Sequence, residues 1–435
     1  MSKKILVLCT AAAISFSLQA EPMNISLLEP SAGDTQPGQL TTLPAEKRFQ
    51  HPESQPVNFT WLAADADLSA FQAPSVTPQV SRSYWQEVKA VELAQGVALY
   101  TTAPGALVRI SAPIEFKQFG SDSIQVMQQG QMLSEGNGIE ALASAEALKA
   151  TGAPFTDGTI AMRLSPEVGG GVFTVQLTDA MEKSEATFLI QVHEPDSQVA
   201  LGLKTDSMVA FHNESLTIHA DFSDASLVQK GRMQGFVTSP AGDLFPLSFQ
   251  ANDDGSFAAD FVVDALKSTG GVPGELWEVH AVASADFNGQ PVFRDVRTAF
   301  STVVPTASLD GNGRLSSDAG QLNVALGVNV ASESRYELRA TLFGTNAAGE
   351  AQPIALTHSA NVLSTGGAEL VLDFPRSAIA QSGLGAPYSL RNVELLDQGQ
   401  MGLLSRQQIA ASFDSLPEAP DSGSDGSTIE TQSMR

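Results

Sequence analysis

Residues Leu216–Phe222 read Leu-Thr-Ile-His-Ala-Asp-Phe. Leu216, Ile218, Ala220 and Phe222 take alternate positions, with Thr217, His219 and Asp221 between them, and successive side chains of an extended strand point to opposite faces. One face is thus apolar and the other polar, the pattern of an antiparallel sheet with one side on a core and one in water. Two turn signals follow, Pro240-Ala241-Gly242-Asp243 and Asn252-Asp253-Asp254-Gly255. Together they place a β-sandwich over residues 198–304.

Toward the C-terminus, residues 306–414 repeat the plan. Val324, Leu326, Val328 and Val330 alternate, as do Tyr336, Leu338, Ala340 and Leu342, and later Leu370, Leu372 and Phe374. The ends of the two blocks also correspond. Gly274–Val279 recurs as Gly385–Leu390, each followed by a final strand, Val296–Phe300 and Ile409–Phe413, which makes Trp277 and Tyr388 matching inward aromatics.

Toward the N-terminus, residues 81–194 carry strand signals at Tyr84-Trp85, Val97–Tyr100, Ala106–Ser111, Val172–Leu177 and Thr187–Val192. Ile139–Lys149 is rich in Ala, Leu and Glu and reads as a short helix covering a sheet. His193–Ser197, polar and containing Pro195, marks a boundary between this domain and the next. Residues 21–80 hold eight prolines, which interrupt helix and central strand alike, and read as a partly disordered extension. Within it Val57, Phe59 and Trp61 alternate with Asn58 and Thr60, the pattern of one strand lying against the first domain. Residues 415–435 are polar and acidic, a disordered tail. The fold class is mainly β: tandem immunoglobulin-like antiparallel β-sandwiches with one short helix in the first domain.

Length and composition agree with this plan. At 435 residues and 43% hydrophobic content the chain has material for several cores. With 24 basic against 48 acidic residues, a formal charge of −24, its surface repels nucleic acid and anionic lipid. Residues 1–20 read as a signal peptide: Lys3 and Lys4, then the uncharged run Ile5–Leu18, then cleavage after Ala20. The run is shorter than the roughly 20 residues a bilayer core needs, so no membrane span is expected. Processing would leave 22 basic against 48 acidic residues, a charge of −26, and remove Cys9, the single cysteine. The mature chain is therefore expected in the periplasm, at the cell surface or outside a Gram-negative cell, held by apolar cores without disulfides.

Chemistry is sparse. No G-x-S-x-G, H-E-x-x-H, P-loop or dinucleotide-binding glycine motif is present, so no catalytic residues and no organic cofactor are assigned. His219 with Asp221, and His280 with Glu278, share strand faces and read as polar, solvated positions. Calcium is the ion that suits an acidic exported chain. Its weak candidates are Glu194 and Asp196 at the first boundary, and Asp310 and Asn312 in Leu309–Arg314, where Arg314 takes a ligand's place; turn and linker roles are the simpler account. Asp253-Asp254-Gly255 reads as a turn. Three scattered tryptophans, 61, 85 and 277, make no aromatic platform.

Ser81–Val88, with Thr101–Ser111, resembles a signature of exported proteobacterial proteins catalogued only as a domain of unknown function. Gly385–Leu390 with Val393–Asp397 is similar to segments of bacterial surface proteins with immunoglobulin-like modules. That resemblance implies a β-sandwich protein and carries no catalytic residues over. Two functions remain: a non-catalytic binding or structural protein of the envelope or exterior, with a protein or glycan partner, and a secreted hydrolase or hydrolase accessory with a site at a domain junction.

Overall fold

The structure, a computed structural model, describes residues 21–44, 53–63, 76–113, 119–150, 152, 156–178, 185–223, 229–266 and 274–418. The signal-like segment 1–20 and residues 419–435 of the tail lie outside them. The chain forms two compact units, one of Pro74–Val304, the other of Pro305 onward together with the N-terminal residues up to Ala73.

In the unit of Pro74–Val304, one sheet orders the strands Ser83–Lys89, Thr187–His193, Leu107–Ser111, Thr159–Leu164 and Gly138–Ser144 side by side. It passes through a short parallel contact, Ser134 opposite Gly138, to Gln131–Glu135, Ile124–Gln128, Gly171–Leu177 and Val97–Thr101. Inward residues of both strand sets, among them Ile110, Ile160 and Ile190 with Leu99, Phe173 and Val175, meet in one core. Each such large aliphatic or aromatic side chain contributes about 1.5–3 kcal/mol when fully buried.

The expected helix over Ile139–Lys149 is only half realised. Gly138–Ser144 is a strand and the helix is confined to Ala145–Ala150. Pairing decides the first half: Ser144 to Ala141 lie opposite Ile160 to Arg163 and Ile139 is buried, so sheet packing outweighs the helical preference of Ala, Leu and Glu. A further helix, Ala90–Gln95, buries Ala90 and Leu93, and the Lys89 N–H at its start donates to Glu92 Oε2 at 2.9 Å.

The second sandwich of this unit sets Leu244–Leu247, Gln229–Thr238, Leu276–Phe287 and Gln290–Val303 in one sheet, with Gln250–Ala251, Phe257–Val262, Ser215–Phe222, Leu201–Thr205 and Gln79–Ser81 in the other. Leu216, Ile218, Ala220 and Phe222 are buried against Trp277, Val279 and Phe300, as their alternation requires. The turns at Pro240–Asp243 and Asn252–Gly255 join antiparallel neighbours. A single bridge, Asp295 opposite Ser83, carries the hydrogen-bonded sheet from this sandwich into the first.

The other unit is also two-layered. Met23–Ser26, Ala307–Asp318, Gln321–Val330 and Gly366–Pro375 form one sheet, and Val57–Leu62, Ala351–Leu363, Ser334–Thr345, Gly385–Asp397 and Gly402–Phe413 the other. Val57–Leu62 is indeed a strand, but it pairs with Ala355–Ala360 and not with the first domain. Its polar side is the one turned to the facing sheet. Asn58 Nδ2 donates to Asp373 Oδ2 at 2.6 Å and to the Val371 carbonyl, and Thr60 Oγ1 donates to the Asp373 carbonyl at 2.8 Å. Val57, Phe59 and Trp61 are consequently left 38–44% exposed.

The correspondence between the second and third blocks holds at one register position. Trp277 pairs with Phe300 and Tyr388 with Phe413, stacked at 6.2 and 6.1 Å. Trp277 is inward, whereas Tyr388 is half-buried because its pair lies at the sheet margin.

Candidate functional site

The joint between the two sandwiches of Pro74–Val304 is built on a buried ion pair. Gln290–Val303 places Arg294 between Val292 and Val296 on its inward side, where a charge must be paired to be tolerated. Arg294 Nη1 meets Glu194 Oε1 at 2.8 Å, both side chains fully buried. The remaining donors reach the carbonyls of Val199 and Phe293, Ser197 Oγ and Thr102 Oγ1, so all five are used. Glu194 Oε2 in turn accepts from the Thr102 and Ala103 N–H groups and the Thr102 hydroxyl. Beside them the Tyr84 hydroxyl accepts from Tyr100 N–H at 2.9 Å, and burial, followed by the nearby Glu194 charge, raises its pKa. This cluster holds the joint, and none of its buried side-chain polar atoms lacks a hydrogen-bond partner.

The outer face of the same sheet differs. The register sets Trp85, Gln191, Arg109, Ala161 and Ala143 in one row across five strands, and Ser83, His193, Leu107, Arg163 and Ala141 in the next. Their neighbours Tyr84, Val192, Val108 and Met162 go into the core, which fixes this row on the outside. The short alanine side chains leave a depression of about 560 Å³ bordered by Leu107, Arg109, Arg163, Gln191 and His193. The Arg109 guanidinium carbon lies 4.9 Å from the centre of the Trp85 ring, a cation–π contact. Its Nε is buried without an acceptor, and no described carboxylate pairs with it. Arg163 is engaged by Glu140 at 3.2 Å, and His193 Nδ1 hydrogen-bonds Ser83 Oγ at 2.8 Å.

Where the sandwiches meet, the same face opens into a groove of about 350 Å³ lined by Trp85, Glu87 and Leu189 from one and Phe236, His280, Asp295 and Arg297 from the other. Burial lifts the Asp295 carboxyl to about 6, against the lowering effect of the Trp85 N–H it accepts. Burial likewise lowers His280, helped by the Arg297 charge; its ring stacks on Phe236 at 4.6 Å and its Nε2 stands 3.2 Å from Glu278. No serine, threonine or cysteine lines this groove among the described residues, so it offers acid–base groups without a hydroxyl or thiol nucleophile.

In the other unit an exposed aromatic corner covers a histidine. Phe59 stacks on His358 at 5.0 Å and Trp61 stands edgewise to both. His358 Nδ1 is 2.8 Å from Glu337 Oε1, while its Nε2 is buried without a partner. Burial alone would raise Glu337, but hydrogen bonds from His358, Arg339 and Gln398 hold it down to about 2.

The residues singled out for calcium are not brought together. Glu194 is committed to Arg294, and Asp196 is exposed two residues on. The partner that Glu194 meets at that joint is a guanidinium. Asp310 and Asn312 sit in a bulge of the strand Ala307–Asp318, where Asp310 Oδ1 accepts from Asn312 N–H at 2.8 Å and both side chains stay at the surface. Among the described residues no three His, Cys, Asp or Glu side chains converge as a metal site. His219 lies between Lys204 and Ala258 on the polar face of its sheet. Arg109 and Arg294 were not singled out. For Arg294 a signal existed, an arginine in phase with Val292, Val296 and Phe300; for Arg109 none did, because its neighbour Trp85 comes from a non-adjacent strand.

Comparison with known proteins gives the family and the fold. The model described as Domain of unknown function (DUF4785) N-terminal domain matches residues 48–194, and the corresponding C-terminal domain model matches residues 306–413, together more than half of the chain. No curated protein matches the sequence. Among solved structures, a crystal structure of a DUF4785 family protein from Legionella pneumophila subsp. pneumophila str. Philadelphia 1 is similar in fold, with a TM-score of 0.65, 22% identity, and coverage of 87% of this chain and 99% of that one. No helix among the described residues is long and apolar enough to cross a membrane. The chain belongs to the DUF4785 family, whose domains are known as domains of unknown function.

Proposed function

We propose that this chain is an exported, non-catalytic binding protein of the bacterial envelope or exterior, and that it engages a protein or glycan partner through the outer sheet face carrying Trp85 and Arg109. The observation that carries the reading is Arg109: a guanidinium held against an indole with no acceptor for its Nε, beside a depression whose lining joins Leu107 and three alanines to Ser83, Arg163, Gln191 and His193. Export is supported by the signal-like residues 1–20 and by the acidic, cysteine-poor composition. Two experiments test it. Fractionation of cells producing the full chain with a C-terminal tag, with N-terminal sequencing, should place a form beginning at Glu21 outside the cytoplasm. Capture from envelope extract and culture supernatant should enrich one partner with wild type and lose it with Trp85→Ala; equal capture by both would sink the reading.

A second reading, a hydrolase or hydrolase accessory, is favoured by the groove that gathers Asp295, Glu87 and His280 at a domain joint. Turnover of a peptide, ester or glycan that Asp295→Asn abolishes would establish it in place of the first.

A further inference from the structure

We infer that the depression beside Arg109 takes a monoanionic amphiphile, a single carboxylate carried on an apolar body. This rests on the reading of that face as a binding surface and specifies its ligand.

The charge comes first. The chain carries twice as many acidic as basic residues, yet the depression is bordered by Arg109 and Arg163 with no carboxylate in its lining. An anion is the complementary occupant. Of the two guanidiniums only that of Arg109 is uncommitted, since Arg163 is engaged by Glu140. One guanidinium matches one carboxylate, as a charge-assisted pair. A polyanion would gain little more there and would meet the repulsion of the surrounding chain. The cation–π contact with Trp85 restrains Arg109 in advance, so less freedom is lost when the carboxylate arrives.

The rest of the depression selects what the carboxylate is attached to. Ala141, Ala143, Ala161 and Leu107, the last 42% exposed, give the depression an apolar part beside its polar Ser83, Gln191 and His193. An alkyl chain laid against the alanines and Leu107 would leave water at a gain.

The test uses the full processed chain and dodecanoate below its micelle concentration, followed by calorimetry, with hexanoate, dodecyltrimethylammonium and dodecyl maltoside alongside. Saturable binding of dodecanoate, weaker binding of hexanoate and none of the cationic analogue are expected. Arg109→Gln should weaken dodecanoate about tenfold or more, the scale of a lost charge-assisted hydrogen bond. Ala143→Leu should weaken it by filling the depression, and both variants should melt with wild type. Equal binding by Arg109→Gln, equal binding of the cationic analogue, or absence of dodecanoate binding would each overturn the inference. If dodecanoate fails while Trp85→Ala still abolishes partner capture, the binding face stands and only its ligand class falls; if both fail, the face itself is not the binding surface.

Discussion

Arg294 and Arg109 belong to one unit of this chain and are used in opposite ways. Arg294 is fully buried and spends five donors on Glu194, two carbonyls and two hydroxyls. Arg109, on the outer face of the adjoining strands, leans on Trp85 and has no acceptor for its Nε. The difference separates a residue that fixes structure from one that can still do something. A saturated polar cluster has no valence left for a ligand, so the conspicuous buried pair points away from function and the less conspicuous stacked arginine points toward it.

The sharpest way to break this contrast is to remove Arg294. Arg294→Met leaves Glu194 charged and enclosed, and losing one partner of a buried pair costs about 3–5 kcal/mol. Glu194→Gln should act in the same direction. Urea unfolding of the unit, compared with wild type at pH 7, reads the effect. The double variant Glu194→Gln with Arg294→Met should cost less than the sum of its parts, since each single change already forfeits the pair. Additive losses would mean that the pair does not act as one element.

Two carboxylates on outer faces extend the contrast to pH. Glu337 is held down to about 2 by hydrogen bonds that outweigh its burial. A depressed carboxylate stabilises the folded state above its ordinary value of 4.5 and loses that contribution as pH falls toward 2. Glu337→Gln should therefore cost about 1.5–3 kcal/mol at neutral pH, as for hydrogen bonds to a charged group, and the gap from wild type should close between 4.5 and 2. Asp295, raised to about 6 by burial, has the opposite sign. The folded chain holds its proton more tightly than the unfolded one, so the penalty is absent below 3.8 and grows until about 6. Asp295→Asn, which keeps an acceptor for the Trp85 N–H, should be more stable than wild type above that pH and equal to it below 3.8. The gain should be smaller than the Glu337 loss, and stability measured across pH 3–8 checks both signs.

How much of this could be read beforehand depends on how far apart the deciding residues lie. The cores of Leu216–Phe222 and Val324–Val330 were legible because alternation is local and burial follows it. The strand Val57–Leu62 was legible as a strand, but its orientation was not. Asn58 faces inward only because Asp373 and the Val371 carbonyl, more than 300 residues on, await its amide. The helix over Ile139–Lys149 failed in its first half for the same reason: pairing with Thr159–Leu164 is invisible to a window around Leu142. At the candidate site, the strands bearing Trp85 and Arg109 were both marked, yet their approach depends on Thr187–His193 lying between them. Glu194 was legible as a carboxylate at a domain boundary, while its partner Arg294 lies on a strand 100 residues later.

The smallest expected effect is the most discriminating. If Arg109 is held for a ligand and not for the fold, Arg109→Gln should change stability by no more than the worth of its ring contact, about 0.5–1 kcal/mol for an exposed cation–π pair. Trp85→Phe should keep part of that contact and shift stability less. Calorimetric melts of both variants against Arg294→Met put the two arginines on one scale: a near-superposable curve for one and a loss several times larger for the other. A cost for Arg109→Gln approaching that of Arg294→Met would mean that the outer arginine is also structural, with Trp85 as its packing partner. The open face would then lose the one group that distinguishes it from an ordinary solvated sheet surface.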